Sequence, residues 1–161
     1  MQPYIGVVGP GNDVAPGTLV VAHEVGRLLS GAGAVVVTGG LGGVMEAAAQ
    51  GAREAGGLTV GLLPGSGRDD ANPYLIVAIP TGLGEMRNAL LVRACDALVA
   101  VGCSWGTLGE IALAVRTGVP VVAIDCWDLP AVGPIAVPDA AGALAELRSR
   151  GLVGGPDGDG G

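Results

Sequence analysis

The 161-residue chain contains no lysine and no phenylalanine, and all eight of its basic residues are arginine. Without lysine there is no Schiff base for pyridoxal-phosphate chemistry, and no P-loop, whose lysine reaches the phosphates. Histidine occurs once, as His23, so a Ser-His-Asp triad or a histidine-rich metal centre would have to grow around one imidazole. The three cysteines (Cys95, Cys103 and Cys126) lie far apart with no C-x-x-C pair. That spacing argues against zinc, and an odd, sparse count argues against a disulfide framework. Apolar runs such as 97–101 fall well short of the roughly 20 residues that span a bilayer. The chain opens directly on a strand-like run with no leader, which reads as a domain of the reducing cytoplasm, without a membrane partner. Basic residues are also few: 8 against 15 acidic give a net charge of −7. Such a surface does not neutralise phosphate backbones, so no nucleic-acid partner is expected.

Half of the residues are hydrophobic, and 31 are glycine. With only Tyr4, Tyr74, Trp105 and Trp127 as aromatics, the core must be Val, Leu, Ile and Ala, the composition of strands buried on both faces. Short β-branched runs predict strands over 4–9, 34–38, 58–63, 75–79, 97–101 and 120–124. Between them the patterns predict helices over 16–31, 44–55, 85–95 and 107–117, and a last helix follows over 139–150. Strands separated by helices of this length imply βαβ units and one α/β domain, a doubly wound, mainly parallel sheet over 1–150. Residues 151–161 are rich in Gly and Asp and are expected to be an unfolded tail.

Open parallel sheets bind ligands outside the carboxyl ends of their strands. Three glycine-rich turns fall there: Gly9-Pro10-Gly11, Gly39 to Gly43, and Gly102-Cys103-Ser104-Trp105-Gly106. The last two run straight into helices, whose free N–H groups and positive dipole end suit an anion. The competing reading is that these glycines only make tight turns. A dinucleotide fingerprint is not met, because Val14 stands where a third glycine belongs and Thr38 where an acid should follow strand two. Asn12 and Asp13 either touch ribose hydroxyls or close an Asx-turn. Asp125 either contacts ligand or faces water. His23 reads as a solvated or packed helix residue, and Arg93 lies about 240° round its helix from Arg87. Cys103 precedes a helix N-terminus, where a thiolate is stabilised, but with no basic neighbour it reads as an inert small residue.

The segment Gly39-Gly40-Leu41-Gly42-Gly43-Val44-Met45-Glu46 resembles the GG-x-x-G-x-M motif of the LONELY GUY (LOG) superfamily, especially its molybdenum-cofactor carrier branch. A second block, Arg87-Asn88 followed by Gly102 to Glu110, resembles that family's helix arginine and its P-G-G-x-G-T-x-x-E motif at matching distance. The resemblance covers about 5–124. It implies a Rossmann-like fold, a homodimer or higher oligomer, and a small phosphorylated ligand. In LOG enzymes the activity is hydrolysis of nucleoside 5′-monophosphates to base and ribose 5-phosphate. Carried over, Gly106 and Thr107 would hold the phosphate, and Gly40, Gly42 and Gly43 would line the site. Glu110 would be the catalytic carboxylate and Arg87 its substrate-positioning partner, unless the two form a plain ion pair. Gly102-Cys103-Ser104 replaces Pro-Gly-Gly, and Asn88 replaces a basic residue; both changes favour a binding module over an enzyme. No cofactor or metal is expected to be required, and molybdenum cofactor would be cargo. Trp105 either stacks on a flat ring or packs at a dimer interface.

Overall fold

A computed structural model describes residues 1–155. Seven strands form one sheet, β1 (Tyr4–Val8), β2 (Val35–Thr38), β3 (Thr59–Leu63), β4 (Val77–Pro80), β5 (Ala97–Val101), β6 (Val121–Ile124) and β7 (Ile135–Ala136). Their order is β4-β3-β2-β1-β5-β6-β7, and every pairing is parallel. The helices are α1 (Pro16–Gly31), α2 (Val44–Glu54), α3 (Arg87–Ala94), α4 (Trp105–Thr117) and α5 (Ala140–Ser149). The expected doubly wound α/β architecture is the one observed. Strand order reverses between β1 and β5, so the crevice where such sheets take ligands opens above Gly9 and Gly102.

Alternating side chains on each strand feed two cores. Ile5, Val7, Val36, Val99, Val101 and Val122 meet α1, α2 and α5 on one face. Val8, Val35, Val37, Leu98, Ala100 and Val121 meet α3 and α4 on the other. Strands with both faces covered need no alternating polar residues, which is why these runs read as continuous Val, Leu and Ala. Helices α1 and α2 cross at two glycines: a Cβ on Gly26 would strike the backbone of Ala48, and one on Gly51 the carbonyl of His23.

The structure departs from the sequence reading in four places. A 3-10 turn over Gly84–Met86 precedes α3, which starts at Arg87 rather than 85. Helix α4 begins two residues early, because Ser104 rather than Thr107 caps it. The two-residue β7 was not expected, since it lies in a Pro- and Gly-rich stretch. Finally, the packed chain runs past 150: Val153 is buried in the core beside Leu152, and the Gly154 N–H donates to the Ala32 carbonyl. The rest of the expected tail, 156–161, lies outside the described residues.

Candidate functional site

Arg87 is the first residue of α3, yet its side chain is only 8% exposed, because it turns back under the sheet edge. Its Nε donates to the Leu62 carbonyl at 2.8 Å and Nη2 to the Gly39 carbonyl at 3.2 Å, while Nη1 donates to Asn88 Oδ1. Three of the five guanidinium N–H groups are thereby spent, leaving two for a ligand. Gly39 makes this approach feasible, since a Cβ there would lie 2.6 Å from Nη2. Burial pulls the guanidinium below its ordinary pKa, and the charge of Glu110 opposes that shift.

The start of α4 faces Arg87. Ser104 is the N-cap: its Oγ accepts from the Thr107 N–H at 3.2 Å and lies 3.0 Å from Thr107 Oγ1. Thr107 lines the same cavity, with its amide paired to this cap. The first turn of a helix has donors to spare. Among the described hydrogen bonds the N–H groups of Trp105 and Gly106 have no partner, and they carry the positive end of the α4 dipole.

One turn further on, Glu110 is 8% exposed and makes no ion pair among the described residues. The plain Arg87–Glu110 bridge is therefore not formed, since Arg87 is held by carbonyls instead. Burial pushes the Glu110 carboxyl up to about 7, against a smaller opposing effect of Arg87. A carboxyl poised near neutrality can both give and take a proton.

These groups close on a single cavity of about 90 Å³, whose lining includes Gly9, Gly39, Arg87, Ser104, Gly106, Thr107 and Glu110. Met45 and Asn88 line it too, and neither was singled out as a site residue. Both stood inside the quoted motifs, Met45 next to the glycine turn and Asn88 next to the arginine. The remaining sequence-predicted residues are not brought to the wall. Gly40 (φ +78°) packs against Gly61 and Leu63, and Gly43 (φ +63°) against the Pro10 and Gly11 carbonyls. Gly11 and Gly42 face each other's loop, Gly102 sits against Thr18 and Pro10, and Asn12 is exposed. Gly40, Gly43 and Gly102, all at positive φ, stand where the turns themselves call for glycine. His23 lies on the α1–α2 groove, 2.7 Å from Glu54, and Arg93 is exposed.

Cys103 is corrected as well. It is bonded to Cys126 across a Cα–Cα distance of 4.8 Å, leaving only Cys95 free and buried. Trp105 is 80% exposed and meets Trp127 edge to face, with ring centroids 5.0 Å apart. Trp127 had drawn no attention in the sequence. Among the described residues no helix is long and apolar enough to cross a membrane.

This geometry, a buried arginine facing a bare helix N-terminus at a switch point, can be set beside known proteins. The family model described as the SLOG cluster4 family matches residues 2–148. The molybdenum cofactor binding protein of Rippkaea orientalis is 35% identical, with a TM-score of 0.89 over 93% of this chain and 98% of that one. The molybdenum cofactor carrier protein of Chlamydomonas reinhardtii is 37% identical, with a TM-score of 0.84 over 92% of this chain and 98% of that one. A protein of Archaeoglobus fulgidus, described only as uncharacterized, is 42% identical over 74% of this chain and 78% of its own length. The family match enters before β1 and ends in the last turn of α5, taking in both motif blocks and the whole sheet. The chain belongs to the SLOG cluster4 family, on the molybdenum-cofactor-carrier side of the LOG superfamily.

Proposed function

We propose that the protein binds a small phosphorylated, flat-ringed molecule, either a molybdenum-cofactor-type pterin carried as cargo or a nucleoside 5′-monophosphate. One observation carries this reading: the unpaired Gly106 N–H, next to that of Trp105 at the start of α4, stands across a cavity from an arginine with two free N–H groups. Together they offer a dianion four donors and a net positive field without any lysine. A cavity of about 90 Å³ suits a phosphate and part of a sugar, so the ring must lie outside it. Two solved relatives, a molybdenum cofactor binding protein and a molybdenum cofactor carrier protein, support the pterin. Isothermal calorimetry with ribose 5-phosphate and with guanosine 5′-monophosphate tests the reading. Binding of both is expected, with loss of both in Gly106→Asp, which puts a carboxylate where phosphate should sit. No binding of either by the wild type would sink it.

A second reading is favoured by Glu110. Cleaving an N-glycosidic bond builds positive charge on the ribose, which a carboxylate can stabilise while activating water. A carboxyl raised to about 7 in the same cavity as the phosphate donors meets that need. Incubation with a panel of nucleoside 5′-monophosphates, assayed for ribose 5-phosphate, separates the two. Release that disappears in Glu110→Gln makes the protein a phosphoribohydrolase. Binding without release leaves a carrier.

We also propose a homodimer. Leu83, Met86 and Leu90 are exposed along the 3-10 turn and α3, an apolar face that a second copy would cover. Light scattering on the eluted protein tests it, with a mass of one chain as the adverse result.

A further inference from the structure

We propose that Trp105 and Trp127 form the ring-stacking subsite of the bound molecule, and that the Cys103–Cys126 disulfide holds this subsite together, so that ring binding depends on redox state. The inference rests on the phosphate reading above and extends it to the part of the ligand that the cavity cannot hold.

Two of the chain's four aromatic residues touch each other in the open, Trp105 at 80% and Trp127 at 43% exposure. Neither belongs to a core. Trp105 is not on the cavity wall, but its neighbours in the chain on either side, Ser104 and Gly106, both are. An edge-to-face pair, here inclined at 71°, leaves ring faces free for a third flat system.

The two tryptophans reach this position by a shared path. Strands β5 and β6 pair in a register of 23 residues, from Leu98 with Val121 to Val101 with Ile124. Beyond the strands, Gly102 (φ +68°) and Asp125 (φ +50°) both turn left-handed at the same register. Cys103 and Cys126, again 23 apart, then meet as one more rung of the ladder. A non-glycine residue in that conformation persists only when its surroundings hold it. The disulfide is the one covalent tie between the two loops. Trp105 follows it by two residues and Trp127 by one.

Reduction by a dithiol would cut that tie. A thiolate of the dithiol attacks one sulfur, the protein S–S bond breaks, and the other cysteine leaves as thiolate. The second thiol of the reductant then closes its own disulfide and expels the first cysteine. Two electrons and, on protonation of the two thiolates, two protons pass to the protein. The α4 turn keeps its Ser104 cap, so the phosphate donors stay, while the Trp127 loop is released.

The test compares guanosine 5′-monophosphate, whose 2-amino-4-oxopyrimidine ring is also that of a pterin, with ribose 5-phosphate, which has no ring system. Protein purified without reductant should show one titratable thiol after unfolding, from Cys95, and three after dithiothreitol. In the oxidised protein the nucleotide should bind about tenfold tighter than the sugar phosphate, the order of stacking one base on an aromatic. It should also quench fluorescence from the chain's only two tryptophans. Dithiothreitol, the Cys103→Ser/Cys126→Ser double variant and Trp127→Ala should each bring the two affinities together while leaving that for ribose 5-phosphate unchanged. A nucleotide preference that survives reduction and both variants overturns the proposal, as do three free thiols in the unreduced protein. Failure of both compounds to bind oxidised wild type would instead overturn the phosphate reading, and this proposal with it.

Discussion

Two glycine-rich turns lead from a strand into a helix at the same edge of the sheet, and they do opposite work. In the turn after β2 the glycines are consumed by packing. Gly43 presses on the Pro10 and Gly11 carbonyls, Gly40 on Gly61, and the Val44 N–H donates to the Pro10 carbonyl at 3.0 Å. In the turn after β5, Gly106 has a single neighbour for a Cβ, Ser104 Oγ at 3.8 Å, and its own amide and that of Trp105 are unpaired. The first turn builds the floor on which Arg87 rests, and the second leaves a vacancy above it. Glycine content alone does not mark a binding loop. What marks one is where the backbone donors end up.

The sharpest way to break this comparison is Gly43→Ala. The backbone there is at φ +63° and ψ −130°, a region close to glycine-only, and a Cβ would collide with two carbonyls. Strain and overpacking together should cost at least ~3 kcal/mol. Against a total stability of roughly 5–15 kcal/mol for a domain, that is a large share. Urea unfolding is the measurement, and a midpoint equal to that of wild type would show that the turn is not packed as described.

Next in size is the contribution of Glu110 to pH dependence. Its carboxyl is raised in the fold from 4.5 to about 7, so ionisation is harder in the folded than in the unfolded chain. Stability from this group is therefore fully present below pH 4.5, falls as pH rises, and levels off above about 7. At 1.36 kcal/mol per pKa unit the fall is on the order of 3 kcal/mol. Glu110→Gln has no such titration. The wild-type stability minus that of the variant should drop between pH 4 and 8, and a flat difference would mean that Glu110 is ordinarily solvated.

How much of this was legible in the sequence follows from the range of each interaction. Continuous β-branched runs and periods of 3.6 residues are local, so β1 to β6 and all five helices could be placed, with ends off by one or two residues. Ser104 shifts one such end, because its hydroxyl takes the Thr107 amide, a choice that Thr107 as first helical residue concealed. The Cys103–Cys126 bond needs the knowledge that β5 and β6 are neighbours in register. A signal for it was present: the predicted strands begin at 97 and 120, 23 residues apart, and so do the two cysteines. Trp127 escaped for the same reason, since its meaning comes from Trp105 across the ladder. The Arg87 clamp, made with carbonyls from two other strand ends, left no local pattern beyond the family spacing.

Ser104→Ala has a smaller effect and separates cap from site. Losing the N-cap should cost about 1 kcal/mol, read as a lower thermal midpoint. It also frees the Thr107 N–H, which the serine hydroxyl now occupies. Affinity for ribose 5-phosphate should therefore hold or rise while stability drops. A parallel loss of both would make Ser104 Oγ a direct ligand donor instead of a cap.

The smallest stability change belongs to the glycine that completes the contrast with Gly43. Gly106 is not among the residues with positive φ, and a methyl there meets only Ser104 Oγ, in ordinary contact. Alanine also narrows the unfolded ensemble, so Gly106→Ala should be neutral or stabilising by roughly 0.5 kcal/mol. Yet the methyl would stand on the wall of a cavity of about 90 Å³, beside the unpaired amides. Ribose 5-phosphate should bind about tenfold more weakly, a loss of roughly 1.4 kcal/mol, to a protein that unfolds no sooner. One glycine would thus fail by unfolding the floor and the other by filling the space above it. Equal binding by Gly106→Ala and wild type would move the phosphate away from the α4 turn and leave the second turn as structural as the first.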